Sequence, residues 1–171
     1  MTSKASFSWP VRIYYEDTDA GGIVYNANYL KYMERARTEW LRSLGIEQDV
    51  LLEENIAFVV RRVELDMHKP ARFNDALTVT VTVKKLKRAS IVFEQEILDD
   101  AGLCLARGTV QIACVQLAQM KPFAIPGSLI GVLAGARWDI VFRFILTSQS
   151  TGEVSDAIAS GHVGNVVGYD H

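Results

Sequence analysis

With 171 residues, 49% of them hydrophobic, and 18 Lys and Arg against 20 Asp and Glu, the chain has the make-up of one ordinary soluble domain. That composition excludes a disordered chain, a collagen and a coiled coil. A net charge of −2 argues against general nucleic-acid binding, although residues 61–90 carry +5 between an N-terminal −3 and a C-terminal −4.

Residues 1–10 hold one lysine and no apolar run, so no signal peptide is expected. Residues 11–15 form a short β-rich run that stops at Glu16-Asp17-Thr18-Asp19-Ala20-Gly21-Gly22, where acids and paired glycines call for a turn. From Asn28 onward Tyr29, Leu30, Met33, Ala36, Trp40, Leu41 and Leu44 recur at three- and four-residue spacing, with Lys31, Glu34, Arg35, Glu39 and Arg42 on the other face. The pattern predicts an amphipathic helix of about four to five turns, with Asn28 as N-cap and Gly45 as its stop. A shorter helix is expected over residues 46–54.

The period then changes to two. Residues 57–66, 77–83, 90–98 and 103–117 read as strands, and Asp99-Asp100-Ala101-Gly102 joins the last two as a hairpin. Residues 84–89 join the preceding pair in the same way. One long helix and about five strands make an α+β layer in which the helix covers one face of an antiparallel sheet. Near residue 130 the composition shifts, since residues 131–171 hold six of the 12 glycines and no lysine. A domain over residues 1–130 is expected, followed by an extension of unknown role, residues 131–171, with a strand candidate at 138–146.

The usual nucleophile and metal signatures are missing: no Gly-x-Ser-x-Gly, Cys-x-x-Cys, His-Glu-x-x-His or P-loop. The run from Asp17 resembles the start of a calcium loop, yet Asn28 stands at the twelfth position where an acid is required, so no metal is expected. His68, His162 and His171 have no partner at ligand spacing and read as structural or solvated residues. Two cysteines, Cys104 and Cys114, point to a reducing compartment, and the longest apolar stretch, residues 140–146, is far short of the ~20 residues of a membrane helix. A cytoplasmic location is expected. What remains is Asp19, followed by glycines that admit close approach and by a helix N-terminus whose N–H groups carry partial positive charge. Such a carboxylate can attack an acyl carbon or activate water while an N–H stabilises the oxyanion. It can equally be a carboxylate that only closes its turn.

The run from Tyr14 through Asp17-Thr18-Asp19-Ala20-Gly21-Gly22-Ile23-Val24-Tyr25, followed by Asn28-Tyr29-Leu30 and Glu34-Arg35-Ala36-Arg37, resembles the hotdog-fold thioesterases. The similarity is strongest to their Tol-Pal-associated (YbgC) group, and a shorter core is shared with 4-hydroxybenzoyl-CoA thioesterases. Phe58-Val59-Val60-Arg61-Arg62, Lys69-Pro70-Ala71-Arg72 and Met120-Lys121-Pro122 extend it over about residues 7–130. The resemblance implies a hotdog fold, a curved antiparallel sheet wrapped around one long helix, assembled as a homodimer or homotetramer. It implies hydrolysis of an acyl-CoA thioester to free acid and CoA, with Asp19 as nucleophile or general base and the Asn26 backbone N–H as oxyanion donor. Asn26 stands where the group usually has His. Gly22, Ile23, Val24 and Tyr25 would form the connecting loop, Tyr29 and Phe58 would line the acyl channel, and Arg61, Lys87, Arg88 and Ser90 would hold CoA. No separate cofactor is implied, CoA being part of the substrate. The alternative is a non-catalytic hotdog adaptor that binds acyl carrier protein or the Tol-Pal and phospholipid-synthesis proteins of the cell envelope.

Overall fold

A computed structural model of the chain describes residues 7–135. Period-two burial builds the sheet: Leu77, Val79, Val81 and Val83 of β3 (Ala76–Leu86) are buried, as are Ile91, Phe93, Gln95 and Ile97 of β4 (Ser90–Leu98). Around them stand β1 (Phe7–Arg12), β2 (Ile56–Met67), β5 (Cys104–Gln116) and the two-residue β6 (Lys121–Pro122). All pairs are antiparallel, in the order β1-β3-β4-β5-β2, with β6 on β5. The β4–β5 hairpin forms as the sequence suggests. Asp99 Oδ1 accepts the Ala101 and Leu103 N–H groups at 2.9 and 2.8 Å, and Gly102 takes a φ of +83°.

The first strand differs from expectation. It spans Phe7–Arg12, pairing Phe7 with Val81 and Arg12 with Ala76, whereas Tyr15–Asp17 coil into a 3₁₀ turn. The reason is local: Asp17 Oδ2 accepts the Tyr14 N–H at 2.7 Å while the Asp17 N–H donates to Tyr14 O at 3.1 Å, which closes the chain before a strand can run on.

Helix α1 (Asn28–Ser43) starts one residue earlier than its sequence suggests. Ala27 occupies the cap, and the Asn28 side chain donates to Asp17 O at 2.9 Å, tying the helix to the acidic turn. Its end follows expectation. Gly45, at φ +79°, donates to Arg42 O, and Ile46 N–H donates to Leu41 O, the paired bonds of a glycine-stopped helix. A short α2 (Gln48–Glu53) follows.

The buried stripe of α1, from Tyr29 and Tyr32 to Trp40 and Leu41, joins the sheet in one core. Trp40 meets Phe93 edge-on with ring centres 5.5 Å apart. At the centre lies Gly108, where a Cβ would stand 3.0 Å from both Met33 Sδ and Cε, so the helix seats on bare β5 backbone. In register with Gly108 is the fully buried Gln95, which donates to Met33 O at 3.1 Å and Thr80 O at 3.2 Å and accepts from Arg37 Nη1 at 2.8 Å. Burial pulls the Arg37 guanidinium down to about 10, still charged at neutral pH, so the Gln95 carbonyl offsets a desolvated cation.

Helix α3 (Gly127–Gly135) carries the chain across residue 130. Leu133 and Ala134 are buried in the same core, with Leu129 and Ile130 packed against it, so the apolar packing extends past the expected boundary. The strand candidate at 138–146 and the rest of the extension lie outside the described residues. Among those described, no helix is long and apolar enough to cross a membrane.

Gly108→Val should cost about 2 kcal/mol by overpacking against Met33. Gln95→Leu should cost about 2–3 kcal/mol by leaving Arg37 without its acceptor. Urea unfolding midpoints check both, and an unchanged midpoint in either variant contradicts this account of the helix seat.

Candidate active site

The acidic turn folds on itself before it meets anything else. Asp19 N–H donates to Ile23 O at 2.9 Å, Gly22 N–H donates to Asp19 O at 3.0 Å, and Thr18 bridges Val24. Gly22 takes a φ of +76°, a conformation that costs a side-chain-bearing residue roughly 1–2 kcal/mol. The Gly21 N–H donates to Asp19 Oδ1 at 2.8 Å, and a Cβ on Gly21 would stand 3.1 Å from that same oxygen. One carboxylate oxygen is therefore fixed by the turn. No hydrogen bond among the described residues engages the other.

The turn is then anchored on the segment after β2. Val24 N–H donates to Ala71 O at 2.9 Å, and Ile23 bridges Arg72. Ala71 is fully buried, and its N–H donates to the Tyr29 hydroxyl at 3.1 Å, so one residue ties loop, helix and β2–β3 connection together. Tyr25 N–H donates to Asp17 O and Asn28 N–H to Tyr25 O, both at 2.9 Å, which turns the chain into α1. Between them the Asn26 N–H has no acceptor among the described residues. Its carbonyl accepts the Tyr29 N–H at 3.4 Å.

Beside these bonds lies an open cleft of about 340 Å³. Asp19, Ile23, Val24, Asn26 and Tyr29 line it from the turn and helix side, and Met67, His68, Lys69 and Pro70 line it from the end of β2. The fold thus brings together Asp19, Asn26 and Tyr29, the residues singled out as acid, oxyanion donor and one of the two channel-wall residues. Gly22 acts through its backbone angle, and Tyr25 is exposed at the surface of the loop. Phe58 packs against the core from β2, opposite Cys114, and is not in the cleft wall.

The basic group stands elsewhere. Arg61 occupies the bulge in β2 between Val60, which pairs with Ile112, and Arg62, which pairs with Gln111. Ser90 pairs with Ala113 across the other edge of β5, and Lys87 N–H donates to Ser90 O at 2.8 Å, with Arg88 in the same turn. Both flanks converge on one end of β5. At ~3.3 Å per strand residue that end is about 20 Å along β2 from the cleft.

His68, read as a structural or solvated residue, is exposed in the fold. No imidazole lies near the acidic turn along the chain, yet the fold places His68 in the same cleft as Asp19 and Asn26. His68 and Lys69 N–H both donate to Leu105 O, at 2.8 and 3.1 Å, which pins this stretch to β5. The sequence signal was the Lys69-Pro70-Ala71-Arg72 segment, whose place against the turn is set by the Val24–Ala71 bond and is not visible from spacing.

Comparison with known proteins gives the family and the fold. The family model of the thioesterase-like superfamily matches residues 14–133. The acyl-CoA thioesterase YbgC of Haemophilus influenzae is 51% identical over 121 residues, covering 70% of this chain and 88% of its own. The acyl-CoA thioester hydrolase YbgC of an Escherichia coli strain is 44% identical over 124 residues, covering 72% of this chain and 92% of its own. The crystal structure of a 1,4-dihydroxy-2-naphthoyl-CoA thioesterase from Synechocystis superposes with a TM-score of 0.70 at 23% identity, covering 74% and 93% of the two chains, and shows the shared fold.

Tyr29→Phe should lower stability by about 1–3 kcal/mol, because it strands the buried Ala71 N–H. Hydrogen exchange should show the Ala71 and Val24 amides losing protection together. Retained protection at both would contradict the clamp.

Proposed function

Because the chain belongs to the thioesterase-like superfamily, we propose that it hydrolyses acyl-CoA thioesters in the cleft between the acidic turn and the end of β2. The observation that carries the proposal is one cleft holding a carboxylate with a free oxygen, at Asp19, and a backbone N–H with no acceptor among the described residues, at Asn26. The thioester carbonyl accepts the Asn26 N–H, which steadies the charge that develops on that oxygen, an effect worth about 10²- to 10³-fold for one such donor. Asp19 then acts on the acyl carbon, either as the attacking carboxylate or by taking a proton from water. Products are the free acid and CoA, and the chain's own groups with water suffice, so no cofactor is drawn on.

The CoA tail suits the basic group at Arg61, Lys87, Arg88 and Ser90, and its distance from the cleft favours a homodimer. Among the described residues β2 is an edge strand, paired only with β5, and Val60 on it is about half exposed. Two copies joining β2 to β2 antiparallel would lay the Arg61 end of one strand beside the Met67 end of the other. Each cleft would then receive a CoA tail bound partly by the neighbouring copy, and a homotetramer would pair two such dimers. A cytoplasmic protein has access to this substrate.

Thiol release should be followed with short, long and aromatic acyl-CoAs. Asp19→Asn should lower kcat/KM by about 10³-fold while leaving the melting temperature in place, since the residue is exposed. Undiminished turnover in that variant contradicts the role of Asp19, and no turnover of any thioester by the unaltered protein favours the adaptor. Light scattering should report a dimer or tetramer, and Val60→Lys should reduce it to a monomer.

A further inference from the structure

The cleft contains a group that the hydrolysis described so far leaves unused. His68 follows the last residue of β2, and its backbone N–H is held by Leu105 O at 2.8 Å. The residue is exposed and lines the same cleft as Asp19 and Asn26. The other titratable groups lining the cleft are Asp19 from the acidic turn, Tyr29 from α1 and the adjacent Lys69. On the strands behind it, β2 carries Asp66 and β5 carries Arg107, which pair in register, and Cys104.

Thioester cleavage has two ends to serve. One is the carbonyl oxygen, for which Asn26 offers an N–H, and the other is the sulfur, which leaves as an alkyl thiolate and must gain a proton. In the carboxylate route Asp19 is bonded to the acyl carbon and has no proton to give, in the water route its proton is taken up on the side of the attacking water, and the Asn26 N–H cannot be released. An imidazole is the side chain best matched to proton transfer near neutral pH, and an ammonium such as Lys69 is a poorer donor. From this arrangement we infer that His68 is the general acid that protonates the departing CoA sulfur. The inference rests on the proposed hydrolysis.

The step balances by either route. In the water route the new C–O bond forms as a water proton passes to Asp19, the C–S bond breaks, and the imidazolium proton moves to sulfur. Free acid and CoA thiol leave, and the proton on Asp19 returns through solvent to the imidazole. In the carboxylate route Asp19 oxygen forms the C–O bond while His68 protonates sulfur. Water then cleaves the anhydride, and its proton recharges the imidazole.

The test varies the leaving group. Butyryl, hexanoyl and benzoyl thioesters of CoA and of 4-nitrothiophenol are compared as substrates of the full chain and of His68→Gln. Glutamine retains the backbone bond to Leu105, and circular dichroism checks the fold. An alkyl thiolate needs the acid, whereas the arylthiolate leaves without help. His68→Gln should therefore lose about 10²-fold in kcat/KM on the CoA thioesters and stay within about threefold on the aryl thioesters. Asn26→His in the His68→Gln background places an imidazole in the same cleft and should recover part of the loss, again only with CoA. Equal losses on both series overturn the inference, as does the leaving-group dependence appearing in Lys69→Gln and not in His68→Gln. Absence of CoA-thioester turnover in the unaltered protein overturns the underlying hydrolysis and this step with it, so the two failures are distinct.

Discussion

The site depends on one buried residue. Ala71 accepts the Val24 N–H and donates to the Tyr29 hydroxyl, so a loop, a helix and the connection between two strands meet at a residue with no exposed surface. Without that junction the acidic turn would be an exposed hairpin held by its own bonds. With it, Asp19 and Asn26 acquire a facing wall made of residues 67–70. A buried backbone group cannot be left unpaired cheaply, and that cost turns two sequence-distant segments into one cleft.

The junction in turn needs a fixed helix. Tyr29 sits in the first turn of α1, and the helix is held along its length by shape and by polar satisfaction. Gly108 lets Met33 approach β5, and Gln95 meets the Met33 carbonyl and the Arg37 guanidinium from the strand beside it. Charge and burial oppose each other at Arg37, and the amide carbonyl reconciles them. A rigid sheet and helix thereby present chemistry that lives on a loop.

Much of this was legible in the sequence, and the parts that were not share a cause. The β-strands follow from alternating Thr and Val, the helix from its apolar stripe, and its end from Gly45, because each is a local pattern with a local physical reason. The first strand was misplaced because Asp17 closes a turn on Tyr14, a side-chain bond that periodicity does not report. Asn28 was read as a cap because its type suits one, although its amide reaches back to Asp17. The 130 boundary followed composition, whereas Leu133 follows packing. His68 was not legible as a cleft residue, since the Val24–Ala71 and Ile23–Arg72 pairings, and not spacing, bring its strand end to Asp19.

The central claim is that the thioester is cleaved between Asp19 and the end of β2. A structure with a non-hydrolysable thioether ketone analogue of an acyl-CoA tests it most directly. The account predicts the ketone oxygen about 3 Å from the Asn26 nitrogen, the Asp19 carboxylate against the carbonyl carbon, and the group replacing sulfur on the His68 side. An analogue whose carbonyl lies outside this cleft, or in it with Asn26 N–H and Asp19 both out of reach, would contradict the account.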